Sequence, residues 1–112
     1  MEYPKMTEFA GGLRERVTIE RRAPGRDGAG GRKGRWLYDG AAWVGVTPLM
    51  PASLEVADAR SALQRWSVVM RKREGIGVWT RLVWRGKFLA VRSVVSDPRE
   101  PSRMILTTEE RR

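Results

Sequence analysis

The stretch TRLVWRGKFLAVRSV, residues 80 to 94, constrains the fold more than any other part of the chain. Two apolar runs flank Arg85-Gly86, the pattern of a β-hairpin with a two-residue turn. Such a turn sets Trp84 opposite Lys87, Val83 opposite Phe88 and Leu82 opposite Leu89. Side chains alternate across a strand. Leu82, Trp84, Leu89 and Val91 therefore share one face, and Val83, Phe88 and Ala90 the other, with Arg81 and Arg92 further out. Arg-Gly is not the preferred pair for this turn, and a longer loop would give another register. In either register both faces carry bulky apolar groups. One face suits a core. The other needs a cover: the central part of the chain, the N-terminal residues or another subunit. Left open it would be a sticky patch.

Other segments repeat the period of two. Residues 13–22, LRERVTIERR, place Leu13, Val17 and Ile19 on one side, then stop at Ala23-Pro24-Gly25. Trp36, Tyr38, Trp43, Val44 and Val46 give strand-like segments around an Asp39-Gly40 turn signal, and Pro48 and Pro51 end the run. Residues 64–73 alternate with Trp66, Val68 and Met70 on one face. A turn is expected at 74–77 and another at 97–102. The last strand, 103–110, sets Met104 and Leu106 against Ile105. Residues 52–63, ASLEVADARSAL, break the pattern. With Ser53 as a cap, Leu54, Ala57 and Leu63 allow a short helix, but the stripe is thin. The expected fold is all-β: a small antiparallel β-barrel of SH3-like or sandwich type, with about six strands and a central loop or short helix. Residues 1–12 read as an arm whose Tyr3 and Phe9 can dock on a neighbour. Residues 13–110 read as one barrel domain with loops 23–35 and 49–63.

The chain has no Cys and no His, which excludes disulfides, zinc clusters and Cys or His nucleophiles. No carboxylate, Lys or Tyr set stands out for acid–base work. Glu55 and Asp58 read as a surface pair. No enzyme, cofactor or metal is expected. No apolar run approaches a membrane span, and MEYPKMTEFAGG lacks the apolar stretch of a signal peptide, so a cytoplasmic origin and no membrane partner are expected.

The net charge is +9, with 22 Lys plus Arg in 112 residues. This points to a polyanionic neighbour, either nucleic acid or an acidic protein surface, or else to solubility in an Arg-rich protein. Part of the charge lies in residues 23–35, APGRDGAGGRKGR, which have five Gly and no large apolar residue. Glycine lets such a loop mould onto a phosphate backbone. A solvated hairpin tip explains the same residues. There are five Trp, a residue enriched where one protein buries itself in another.

In this order, the features resemble the phage head–tail joining proteins, also called head-completion or stopper proteins. LRERVTIERR resembles that family's opening strand. The Gly-rich loop with Asp27, Gly30, Gly31 and Trp36 resembles its loop, WVGVTPL (43–49) its second strand and WSVVMR (66–71) its third. Gly75-Ile76, the hairpin WRGKF and VRSVV follow in the family's order. The resemblance spans residues 13 to 109. Trp66, the Arg-rich loop and the ending TTEERR depart from it.

The resemblance implies a barrel that assembles into a homo-oligomeric ring, six- or twelve-fold. The ring would lie between portal and adaptor proteins and the tail of a phage or gene transfer agent, retain packaged DNA and dock the tail. It implies that the loop 49–63 projects into the channel. On this reading Arg26, Arg32, Lys33, Arg35 and Arg60 face double-stranded DNA, without sequence preference. Tyr3, Phe9, Leu54, Val56, Trp84 and Phe88 face neighbouring subunits or partners. The basic loop fits an acidic surface of the adaptor or tail equally. The alternative is a monomeric SH3-like or OB-like domain binding nucleic acid, with Trp36 and Tyr38 as stacking groups.

Overall fold

A computed structural model of the chain describes residues 12–23, 35–50 and 63–111. Every regular element named among them is a strand: β1 Glu15–Arg22, β2 Trp36–Leu49, β3 Arg65–Arg71, β4 Thr80–Trp84, β5 Lys87–Ser96 and β6 Arg103–Arg111. They close into a barrel in the order β1-β2-β3-β6-β5-β4, and every neighbouring pair is antiparallel. Cross-strand partners run from Tyr38 through Glu20, Arg81, Ala90, Glu109 and Arg65 to Leu49. The path starts and ends on β2, eleven residues apart. This stagger is the shear that tilts the strands of a small closed barrel.

The expected hairpin forms in the two-residue register: Trp84 faces Lys87, Val83 faces Phe88 and Leu82 faces Leu89. Arg85 and Gly86 both have positive φ, 50° and 78°, as the turn matching the strands' twist requires. Leu82, Leu89 and Val91 are at most 1% exposed. They join Val17, Ile19, Val44, Val68, Met70 and Leu106 in the interior. Full burial of each such side chain is worth about 1.5–3 kcal/mol, which is what holds the barrel closed.

Asp39-Gly40 is not a turn. β2 runs straight through it. Thr18 pairs with Ala41 and Glu20 with Tyr38, so Ile19 alone faces two residues of β2. Gly40 has φ 117°, the conformational freedom that made Asp-Gly look like a turn. The guanidinium of Arg73 lies across the bulge and donates from Nη2 to the Asp39 carbonyl at 2.7 Å. A Cβ on Gly40 would stand 2.9 Å from that nitrogen. The bulge reverses the parity of β2, so Trp36, Tyr38 and Trp43 all lie on the outer wall. A second irregularity between Val91 and Ser93 reverses the parity of β5 after Arg92, so Ser93 joins the outer wall and Val94 packs against the core.

The alternating strand directions sort the connections between two ends. Segments 23–35, 72–79 and 97–102 leave the upper end. Residues 12–14, Met50, Leu63 and Gln64, the turn at 85–86 and the end of β6 lie at the lower end. Trp66 and Trp84 meet edge to face near the lower end, 4.9 Å between centroids and 67° between planes. Each has its indole N–H on a carboxylate: Trp84 on Glu15 at 2.9 Å, Trp66 on Glu110 at 3.1 Å.

Candidate functional site

The outer wall answers what covers the hairpin's second face. Arg81, on β4 between inward Thr80 and Leu82, points out. Its Nε donates to Glu20 Oε1 at 2.6 Å, and its guanidinium carbon lies 4.3 Å from the Trp36 ring centroid and 4.1 Å from that of Phe88. Arg22 lies 4.8 Å from the Trp36 centroid. Arg16 lies 5.0 Å from that of Trp43. A guanidinium laid on an aromatic face keeps its charge hydrated at the edges while covering apolar area. The cover is partial: Phe88 remains 37% exposed and Trp43 53%.

Between β1, β4, β5 and β6 this wall hollows into an open groove of about 360 Å³, lined by Arg22, Trp36, Arg81, Phe88, Arg92 and Arg111 among others. Two of the guanidiniums are paired, Arg81 with Glu20 and Arg92 with Glu109 at 3.1 Å. Glu109 also meets Arg65 at 3.5 Å, which explains how a carboxylate on the outer wall becomes buried. Arg22 and Arg111 have no carboxylate partner among the described residues, so the groove carries a surplus of positive charge.

The wall on the other side differs. Gly45, Val69, Ile105 and Val95 pair across β2, β3, β6 and β5, and beside them run Thr47, Ser67, Thr107 and Ser93. These outward rows of apolar and hydroxyl side chains carry no charge.

Of the residues expected to face DNA, only Arg35 is described. It is exposed at the upper end, and its carbonyl accepts from the Ala23 amide at 2.8 Å, closing the foot of the basic loop. Arg26, Arg32, Lys33 and Arg60 lie outside the described residues. The segments carrying them leave opposite ends of the barrel, so the loop 23–35 and the segment with Arg60 do not start from one surface. Of the residues expected at interfaces, Tyr3, Phe9, Leu54 and Val56 also lie outside the described residues. Phe88 is on the outer wall as expected. Trp84 is not: it is 6% exposed and belongs to the core, because the hairpin register turns it inward with Leu82 and Leu89.

Sequence reasoning set Arg81 at the edge of the hairpin's second face but missed Arg16, Arg22 and Trp43 as members of the same surface. The alternation of β1 marks Arg16, Glu20 and Arg22 as outward, but nothing local marks which strand lies beside them. Among the described residues no group of three or more Asp or Glu is placed to hold a metal ion.

The fold has solved counterparts. A chain in the virion of a native gene transfer agent particle superposes with a TM-score of 0.69 at 20% identity, covering 88% of this chain and 94% of its own. The solution structure of protein SF1141 from Shigella flexneri 2a gives 0.68 at 22% identity, covering 89% and 94%. No curated protein gives a match. The sequence model described as phage head completion protein matches residues 10–111, nearly the whole chain, and all six strands fall within or at the edge of that span. The chain therefore belongs to the phage head completion protein family, structural head–tail connector components of phage-like virions.

Proposed function

We propose that this connector component works as a ring of identical subunits in the particle neck, between portal or adaptor and tail, through which double-stranded DNA passes. The observation that carries the reading is the division of labour in the barrel wall. The interior is filled by the chain's own side chains, yet the outside retains half-open aromatics at Trp43, Tyr38 and Phe88 and apolar groups at Val78 and Val95. A ring subunit needs two different lateral surfaces, because head-to-tail contacts close a circle. The charged, aromatic wall and the uncharged wall meet that need. The role is structural and calls for no catalysis, cofactor or membrane. Six or twelve copies satisfy it equally, and a phage and a gene transfer agent use such a part alike.

Arg26, Arg32, Lys33 and Arg35 line the passage on this reading. Arginine and lysine on a Gly-rich loop give weak, salt-sensitive and sequence-independent contact with a phosphate backbone, which suits a conduit. Arg60, in the segment that follows β2, joins them on this reading. Tyr3, Phe9, Leu54, Val56 and Phe88 serve contacts with neighbouring subunits, adaptor or tail.

The test is to convert Arg26, Arg32, Lys33 and Arg35 to Glu in the particle-producing strain. Subunit incorporation and nuclease-resistant DNA per particle are then measured. The expected result is normal incorporation with loss of retained DNA. Unchanged DNA retention removes these residues from the passage. The monomeric nucleic-acid-binding alternative is weakened at Trp36, whose ring already carries Arg22 and Arg81 against it, though Tyr38 stays 72% exposed.

A further inference from the structure

We infer that the groove around Arg81 is a docking site for an acidic peptide segment of a neighbouring protein in the neck: a stretch carrying carboxylates beside an aromatic or branched aliphatic side chain. The inference rests on the neck reading only for where that segment comes from. Three observations support the chemistry. First, the groove has surplus positive charge at Arg22 and Arg111, the guanidiniums without a carboxylate among the described residues. Second, Arg81 is preorganised. Its Nε is committed to Glu20 and its plane is held between Trp36 and Phe88, while its Nη donors take no partner among the described residues. A fixed guanidinium accepts a carboxylate with little ordering cost, and paired N–H donors match its two oxygens. Third, Trp36, Phe88 and Ala90 supply apolar area between the charges, the Arg-and-aromatic composition of binding hot spots.

The same geometry argues against nucleic acid in this groove. Duplex DNA presents a continuous convex row of phosphates, whereas this concave groove separates its guanidiniums with the apolar surfaces of Trp36, Phe88 and Ala90. The Trp36 and Phe88 rings, partly covered by Arg22 and Arg81, offer remaining apolar area rather than a full face for a stacked base. A concave, basic site with aromatic walls fits an acidic protein segment.

The isolated chain tests this without any ring, so its failure is separable from failure of the neck reading. A blocked Glu-Phe-Glu-Leu-Glu peptide is titrated while the Trp36 indole N–H and the Arg81 Nε–H signals are followed by NMR. The Gln-Phe-Gln-Leu-Gln analogue and a short DNA duplex are titrated in parallel. The Arg22→Glu/Arg111→Glu double variant is titrated with the acidic peptide; both side chains are on exposed residues, and an unchanged melting temperature verifies its fold. Saturable shifts of both signals with the acidic peptide are expected, about tenfold weaker or more in the double variant and absent with the Gln analogue. No shift at Trp36 or Arg81, equal binding by the double variant, or tighter binding of duplex at the same signals would each overturn the assignment.

Discussion

The tryptophans divide the molecule into two regions that use the same side chain oppositely. At the lower end of the interior, Trp66 and Trp84 pack edge to face and give their indole N–H groups to Glu110 and Glu15. On the outer wall, Trp36 and Trp43 keep part of their rings in solvent, and arginines lie across them. Inside, the ring supplies volume and its polar edge must be satisfied. Outside, the ring supplies a platform and its face is what is used. The difference teaches that aromatic content alone does not distinguish a core from a binding surface. What distinguishes them is whether the ring is buried with a carboxylate on its indole edge; a cation near the face does not, since Arg85 also lies 5.1 Å from the Trp84 centroid.

That contrast gives an ordered set of ways to break it. The largest effect is expected for Trp84→Ala, which empties the lower end and should cost about 3–5 kcal/mol in urea unfolding. A loss below about 1 kcal/mol would mean the interior is not tightly packed there. Trp84→Phe keeps most of the volume and removes the bond to Glu15. A loss of about 1.5–3 kcal/mol is expected, the range for a hydrogen bond to a charged group. Glu15→Gln alone should cost less than Trp84→Phe, since an amide oxygen still accepts from the indole.

On the outer wall the effects should be smaller. Arg81→Ala removes an ion pair whose side chains are 22% and 23% exposed, and two ring contacts, and should cost about 1 kcal/mol or somewhat more. It should also raise the fluorescence response of Trp36 to a soluble quencher. Arg16→Ala at Trp43 should change stability by less than about 0.5 kcal/mol. If Arg16→Ala matched Trp84→Ala, the division between a load-carrying interior and a surface reserved for assembly would fail.

Much of the fold is legible in the sequence because strand parity is local. The hairpin at residues 80–94 fixes its own register, and the buried alternation of Val17 and Ile19, Val68 and Met70, and Met104 and Leu106 can be read residue by residue. Asp39-Gly40 is misread because a turn and a bulge both require a residue at positive φ. Only the partner strand, with Ile19 filling the space, decides between them. The outer wall is the least legible part. Arg81 and Trp36 meet because β1 stands between β2 and β4, and that closure is a long-range pairing with no local signature. The interface role expected for Trp84 fails because its parity places it inside, whereas Phe88, four residues on and past the turn, falls outside.

The most direct test of the central claim, that the barrel is filled within and finished outside only by assembly, is side-chain-resolution imaging of the neck in purified particles. The account predicts a closed ring of this chain in which the charged wall around Phe88 and Arg81 and the uncharged wall around Val69 and Ile105 are both covered by neighbouring protein. A neck in which this chain stands as separate subunits with both walls open to solvent would contradict it.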